Sequence, residues 1–70
     1  MDPWKDCERF FDPHFADRMA ERFLPMDQVR EALKDGDKIM KKKDEYEIKW
    51  KKWTLVVSMG SCFIYFWTAY

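Results

Sequence analysis

Residues 45–58 read EYEIKWKKWTLVVS, and this stretch decides the fold class because its apolar and charged side chains alternate. Apolar Tyr46, Ile48 and Trp50 alternate with charged neighbours, and a second apolar run follows the Lys51-Lys52 pair. A period of two is typical of β-strands with one buried face. The lysine pair between the two runs indicates a tight turn, so the runs are expected to pair as antiparallel neighbours.

The sheet is expected to continue on both sides of this stretch. Four strands are predicted near residues 38–42, 45–50, 53–58 and 62–69. Because short loops join them, they form an antiparallel meander. Both faces of the last strand carry bulky side chains, so one face must be covered by a partner or lie exposed.

Toward the N-terminus the period changes from that of strands to that of helices. Asp12-Pro13 is typical of a helix start, since Asp caps free amides and Pro suits the first turn, and the helix is expected to end at Arg22 or Phe23. A second helix is predicted over residues 26–34, ending at Gly36 in a left-handed conformation. The apolar face of the first helix is predicted to comprise Phe15, Ala16, Met19, Ala20 and Phe23.

These patterns predict an α+β fold in the order ααββββ, with two N-terminal helices packed on a three- to four-stranded antiparallel sheet. Residues 1–11 have no clear period and are expected to be an irregular or short helical lead-in, with residues 12–70 as a single α+β domain. The chain has 70 residues, of which 47% are hydrophobic and 19% aromatic. That content is enough for one core without a disulfide or a structural metal.

Residues 53–70 carry no charge and follow several lysines, which also fits a membrane anchor. Their Val, Ile, Phe, Tyr, Trp and Thr content favours strands, so a membrane span is not the expected structure. With no signal peptide in view, Cys7 and Cys62 are expected to be reduced thiols of a cytoplasmic protein.

The charge of the chain is zero overall but unevenly distributed. Residues 1–37 contain ten acids and six bases, whereas residues 38–70 contain three acids and seven lysines. The basic half either binds a polyanion or protects an exposed strand edge with lysines. Sheet aromatics beside lysines are either core residues or platforms for stacked bases. The candidate nucleic-acid-binding residues are Lys41, Lys42, Lys43, Lys49, Lys51 and Lys52.

The candidate catalytic residues are His14, Arg18 and Arg22, which are spaced four apart along one helical edge. Cleavage of RNA without a metal needs a group that moves protons and fixed positive charge at the phosphate. An imidazole exchanges protons near neutral pH, and two guanidinium groups can bind a phosphate. The same spacing also fits a purely structural role, with the arginines paired to Asp17 or Glu21.

Part of the sequence resembles a known family. Four runs carry the resemblance: PHFADRMAER (13–22), VREAL (29–33), GDKI (36–39) and FIYFWTAY (63–70). They resemble the small prokaryotic domain of unknown function family 4258, over about residues 12–70. The resemblance implies a sheet-and-two-helix fold distantly similar to the RelE-like and BrnT-like toxin ribonucleases. His14, Arg18 and Arg22 match the recurrent polar positions of that family.

Two functional hypotheses follow. The first is a toxin-like protein that binds RNA and cleaves it without a metal, with cleavage left open. The second is a non-catalytic interaction module that uses the aromatic sheet face to bind an antitoxin-like protein or a second copy. The sequence has no glycine-rich phosphate loop, metal-ligand cluster or nucleophile elbow, so neither a cofactor nor a metal is expected.

Overall fold

The computed structural model describes Trp4 and residues 7–70, and within them the chain forms five strands and two helices. The strands are β1 (Glu8–Phe11), β2 (Asp37–Lys42), β3 (Glu45–Trp50), β4 (Trp53–Met59) and β5 (Phe63–Ala69). Helices α1 (Pro13–Glu21) and α2 (Met26–Asp35) lie between β1 and β2 in the chain. The order of elements is therefore βααββββ.

The strands form one mixed sheet with the order β1-β5-β4-β3-β2. Strands β2 to β5 are an antiparallel meander, whereas β1 runs parallel to β5 and places Phe11 opposite Phe66. The prediction of an α+β chain is correct at the level of class. The predicted three- to four-stranded antiparallel sheet in the order ααββββ is wrong, because the sheet has five strands and is mixed.

The error comes from the four-residue strand β1. Residues 8–11 are expected to be irregular or helical, because ERFF is too short to show a period. The partner of β1 is the last strand of the chain, and a parallel pair always needs a long connection. Of the remaining lead-in, Trp4 packs edge-on against Tyr46, with ring centroids 5.2 Å apart. Residues 1–3, 5 and 6 of the predicted lead-in lie outside the described residues.

Strand β1 changes the position of β5 within the sheet. A four-stranded meander would leave β5 at an edge, whereas the structure places it between β4 and β1. This position suits its sequence, because Ile64 and Phe66 are fully buried beneath the helices. Phe63 and Trp67 point to the opposite face, where they stay exposed. The edges of the sheet are β1 and β2.

Both helices cover the same face of the sheet, with α1 on β5 and α2 on β3. Phe15 of α1 is fully buried, and its ring lies 5.1 Å from that of Phe66 and 5.7 Å from that of Phe11. Burying each such large side chain contributes roughly 1.5–3 kcal/mol to folding. The other fully or almost fully buried side chains of the core are Leu24, Val29, Ala32, Leu33, Ile48, Leu55, Val57, Ile64 and Ala69.

The bounds of both helices agree with the sequence to within about one residue, but the local reasons differ at two positions. Gly36 ends α2 with a φ of −70° rather than in the left-handed region. Glycine is needed there for space, since a Cβ would lie 2.6 Å from the Ala32 main-chain oxygen and 2.7 Å from Ile48 Cγ2. Phe23 is 82% exposed at a positive φ of 52°, so its predicted place on the apolar face of α1 is wrong. The chain turns after α1, and Leu24 is buried instead.

The C-terminal apolar run forms strands rather than a helix. Residues 53–70, which also fit a membrane anchor by composition, contain β4 and β5. In the part of the chain that the structure describes, no helix has the length and apolar content needed to cross a bilayer.

Candidate functional site

The candidate site begins where β1 ends and α1 starts. The Asp12 Oδ1 atom accepts a hydrogen bond from the His14 main-chain N–H at 2.9 Å, which confirms Asp12 as the cap of α1. The main-chain oxygen of Asp12 accepts from the N–H groups of Phe15 and Ala16. Because Asp12 already binds these amides, a phosphate at this end of the helix must be bound by side chains.

The structure brings two of the predicted catalytic residues into direct contact. The Nε–H of Arg18 donates to Nε2 of His14 at 3.3 Å, and Nη1 of Arg18 lies 2.7 Å from Oε1 of Glu21. A neutral imidazole that accepts at Nε2 carries its own proton on Nδ1. His14 is exposed, and the side chains of Arg18 and Glu21 are 34% and 54% exposed. A base and a cation therefore lie together at the protein surface.

Arg22 lies at the other end of α1, eight residues after His14 and thus roughly 12 Å further along the helix axis. Its main-chain oxygen accepts a hydrogen bond from the indole Nε1 of Trp53 at 2.9 Å. Its side chain is exposed. The structure thus joins His14 to Arg18 and places Arg22 beside the start of β4.

Tyr65 of β5 is a site residue that sequence reasoning missed. Its hydroxyl donates a hydrogen bond to Oδ2 of Asp12 at 2.8 Å, which ties β5 to the start of α1. The strand pattern shows only that Tyr65 points away from buried Ile64 and Phe66. Its contact with Asp12 depends on the pairing of β1 with β5, for which the sequence gives no signal.

Hydrogen bonding sets the protonation states of Asp12 and Tyr65. The bond from the His14 amide, followed by the bond from the Tyr65 hydroxyl, holds the pKa of the Asp12 carboxyl below its ordinary value of 3.8. Partial burial opposes this effect. The bond to Asp12 in turn raises the pKa of the Tyr65 hydroxyl above 10.0. The carboxylate therefore stays charged and the phenol stays protonated over the neutral pH range.

The sheet face opposite the helices exposes an aromatic surface, which we call the open face: Phe10, Phe63, Tyr65, Trp67 and Tyr70. Four of these residues are between 40% and 54% exposed, whereas Tyr65 is half-buried. The rings of Phe10 and Phe63 lie 6.2 Å apart, and those of Tyr65 and Trp67 lie 4.5 Å apart. Of the two bulky faces of β5, one is therefore core and the other is exposed, as the sequence requires.

The lysines predicted to bind nucleic acid do not form one surface. Lys51 and Lys52 make the turn between β3 and β4, where their Nζ atoms lie 5.3 Å and 5.2 Å from the ring centroids of Trp50 and Trp53. Because the Trp53 indole also bonds to Arg22, these two lysines are at the Arg22 end of α1.

The other four lysines lie elsewhere. Lys41 and Lys42 end β2 and Lys43 begins the next turn, at the opposite end of β3 and thus roughly 20 Å from Lys51 and Lys52. The Nζ of Lys41 is 3.8 Å from Oε1 of Glu47. Lys49 is exposed near the end of β3, opposite Asp37 of the edge strand β2.

Comparisons with known proteins identify a family without assigning an activity. No curated protein matches the chain. No solved structure matches it either, and the likeness to RelE-like and BrnT-like toxins stays a prediction. Within Trp4 and residues 7–70, no group of three His, Cys, Asp or Glu side chains is placed to hold a metal ion. One family model matches residues 11–70, which include both helices and strands β2 to β5. The chain therefore belongs to the family described as Domain of unknown function (DUF4258).

Proposed function

We propose that this protein is a toxin-like ribonuclease that binds single-stranded RNA along α1 and cleaves it without a metal ion. His14 transfers protons, and Arg18 and Arg22 bind phosphates. One observation carries the proposal: Nε of Arg18 bonds to Nε2 of His14 on the exposed edge of the helix. Attack of a 2′-hydroxyl on the adjacent phosphate requires a base for the hydroxyl proton and a fixed positive charge at the phosphate. In this proposal His14 and Arg18 are these two groups.

The proposed reaction is an intramolecular transesterification. The 2′-oxygen forms a bond to phosphorus, the bond from phosphorus to the 5′-oxygen breaks, and a 2′,3′-cyclic phosphate remains. Nε2 of His14 accepts the 2′-hydroxyl proton, and the leaving 5′-oxygen takes a proton from solvent. Arg18 must first release Nε2. A phosphate favours this release, because a guanidinium bonds more strongly to an oxyanion than to a neutral imidazole. Substrate binding thus frees the base.

Glu21 competes with the substrate for Arg18. Its carboxylate is 2.7 Å from Nη1 of Arg18, so in the free protein the guanidinium is partly neutralised. Both side chains are substantially exposed, and such surface pairs contribute only about 0.2–1 kcal/mol. A phosphate that bonds to two guanidinium nitrogens is therefore able to displace Glu21.

The second half of the RNA site is at the far end of α1. Arg22 and the turn that contains Lys51 and Lys52 lie together there, because the Trp53 indole bonds to the main chain of Arg22. A strand whose scissile phosphate is at Arg18 reaches these cations by following the helix. The lysines at the end of β2 lie away from this path.

The proposal is tested by the binding of fluorescent single-stranded RNA over a salt series from about 50 to 200 mM. We expect the logarithm of affinity to fall linearly with that of salt concentration, and Arg18→Gln to reduce the slope by about 0.7, the value for one single-strand phosphate contact. Arg30→Gln is the matched control, since Arg30 is an exposed arginine on α2. Absence of binding at the lowest salt, or equal slopes for both variants, would contradict the proposal.

A 2′-deoxy substrate of the same sequence tests the reaction type. It should bind with similar salt dependence but remain intact, because it lacks the attacking oxygen. Cleavage of this substrate at the rate of RNA would contradict the transesterification mechanism.

A further inference from the structure

We propose that Phe23 is a base-stacking position of the RNA site, an inference that rests on the proposed function and extends it from phosphates to one nucleobase. Phe23 directly follows Arg22, the residue that caps the C-terminal end of α1, and lies in the turn before α2. Its side chain is 82% exposed, and its backbone has a positive φ of 52°. A large exposed ring therefore lies at the end of the helix along which the RNA is proposed to bind.

Neither feature of Phe23 stabilises the fold. A bulky side chain is strained in the left-handed region of φ, whereas glycine adopts this conformation at little cost. The exposed ring removes little apolar surface from water, and the neighbouring Leu24 is the residue of this turn that is buried in the core. The other described residues with positive φ are Asp44 and Lys51, which are polar. Strained positions cluster at binding and catalytic sites, so we expect the Phe23 ring to contact a ligand.

The surroundings of Phe23 carry cations suited to a nucleic acid. Arg22 precedes it in the chain, and the main-chain oxygen of Arg22 accepts the hydrogen bond from the Trp53 indole. The Nζ atom of Lys52 lies 5.2 Å from the centroid of the Trp53 ring, and Lys51 belongs to the same turn. Proteins that bind single strands combine cations that contact phosphates with rings on which bases stack. Because Trp53 itself is buried, Phe23 offers the most exposed ring beside these cations.

The acids nearest to Phe23 along the chain do not cancel these cations. Glu21 is bonded to Arg18, and Asp27 lies in the first turn of α2. Asp27 is thus one carboxylate against the arginine and the two lysines named above. The end of α1 therefore attracts phosphates to the place where the ring is exposed.

A nucleobase fits this position better than a protein partner does. Specific protein interfaces bury about 800 Å² on each side around an apolar centre. In residues 22–26 the large exposed apolar side chains are those of Phe23 and Met26. A single base needs one ring. Since Arg22 lies roughly 6 Å beyond Arg18 along the helix axis, the stacked base belongs to a nucleotide close to the cleaved bond.

The first test compares two substitutions in the binding of fluorescent single-stranded RNA. Phe23→Leu keeps a bulky apolar side chain at the same φ but removes the aromatic ring, and we expect it to weaken binding at least about fivefold, the lower range for one stacked base. Phe23→Tyr keeps a ring and should bind within about twofold of the wild type. Phe63→Leu is the matched control, because Phe63 is an exposed aromatic residue on the open face. It should leave RNA binding unchanged.

A set of RNAs that each lack one base locates the contact. We expect one abasic position to weaken binding by the wild type as much as Phe23→Leu does, and Phe23→Leu to bind this RNA and the intact RNA equally. Independent, additive losses at every abasic position would contradict stacking on Phe23. Phe23→Gly should weaken RNA binding without lowering the midpoint of thermal unfolding, because glycine relieves the strain at this φ. A lower midpoint would instead assign the ring to the fold.

The outcomes separate this inference from the proposed function. If the wild type binds RNA with a salt slope that depends on Arg18 but Phe23→Leu binds equally well, stacking is overturned and the proposed function stands. Absence of RNA binding by the wild type at the lowest salt would overturn both. Binding of a peptide of alternating Glu and Leu residues that is lost in Phe23→Leu, with RNA binding unchanged, would overturn stacking in favour of an acidic protein segment.

Discussion

The carboxylate of Asp12 receives hydrogen bonds from two parts of the chain, the first turn of α1 and the hydroxyl of Tyr65 on β5. Both bonds favour the charged carboxylate, so the pKa of Asp12 is lower in the folded protein than in the unfolded chain. The resulting stability is present above the unfolded pKa and is lost as the pH falls through the folded pKa. The start of α1 is therefore the part of the site most sensitive to acid.

Tyr65→Phe removes one of these bonds and tests this coupling. We expect the variant to be less stable than the wild type at neutral pH and to lose less stability below about pH 4, because the pKa of Asp12 moves back toward its ordinary value. The measurement is the midpoint of thermal unfolding as a function of pH. Tyr70→Phe is the control, since it removes a similar bond to Glu47 instead. If the unfolding midpoint of Tyr65→Phe fell with decreasing pH as steeply as that of the wild type, the role of Asp12 would be contradicted.

The hydroxyls of Tyr65 and Tyr70 follow the opposite rule. The pKa of the Tyr65 hydroxyl is raised, so its contribution is fully present below pH 10.0 and is lost as the pH rises through the folded value. Tyr70 follows the same rule through its bond to Glu47. Over neutral pH neither hydroxyl changes its charge.

Glu21→Gln should strengthen RNA binding. The substitution removes the carboxylate that neutralises Arg18, and it also removes a negative charge that repels the phosphates. We expect a gain of about twofold to fivefold at low salt that shrinks as salt increases, since a surface pair contributes up to about 1 kcal/mol. Anisotropy titration provides the measurement, and Glu31→Gln on α2 is the control. Weaker RNA binding by Glu21→Gln would contradict the proposed role of Arg18.

At the scale of single residues, sequence spacing predicts part of the site. A spacing of four on a helix places His14 next to Arg18, and the Asp12-Pro13 pair predicts the cap. The same spacing also predicts Arg22 on that edge, but the end of α1 separates it from the other two. Tyr65 was not predictable, because its partner depends on a strand pair between the two ends of the chain.

At the scale of elements, the turn between β3 and β4 contains a strained residue. Lys51 has a positive φ of 55°, a conformation that costs a side chain with a Cβ roughly 1–2 kcal/mol. Lys51→Gly should therefore raise the free energy of unfolding by up to about 1 kcal/mol, measured by urea denaturation. Lys52→Gly is the matched control, because Lys51 is the residue of this turn with positive φ. Equal stability changes in the two variants would contradict this interpretation.

The elements differ in how well their sequences predict them. Strands β3 and β4 are predicted because alternation in residues 45–58 leaves one face buried and the other exposed. The two helices are predicted by their caps and by apolar residues at helical spacing. Strand β1 is not, because Glu8–Phe11 is an edge strand whose burial follows no alternation. The mixed topology and the inner position of β5 both depend on this short strand.

At the scale of the whole molecule, the distribution of charge separates two surfaces. The edge of α1 and the turn after β3 present cations, whereas the open face presents aromatic rings, and the acids of β3 lie beside lysines of β2. These local charges cancel in the net charge of the chain, which is zero.

Neutralising the lysines in two groups tests the proposed path of RNA. The double variant Lys51→Gln, Lys52→Gln should weaken RNA binding and reduce the salt slope by up to about 1.4, since two single-strand phosphate contacts are lost. The triple variant Lys41→Gln, Lys42→Gln, Lys43→Gln should leave the slope nearly unchanged, although it removes more charge. A larger loss of salt slope in the triple variant than in the double variant would place the RNA at the end of β2 and contradict the path along α1.

The most direct test of the central claim is the cleavage of single-stranded RNA in the presence of EDTA by the wild type and by His14→Ala. His14 is exposed, so the variant is expected to fold, which circular dichroism verifies. We expect the wild type to release fragments that end in a 2′,3′-cyclic phosphate, and His14→Ala to slow this release by at least about 100-fold, the lower range for general acid–base catalysis. Release of the same fragments at the same rate by a folded His14→Ala, or no cleavage by the wild type, would contradict the claim.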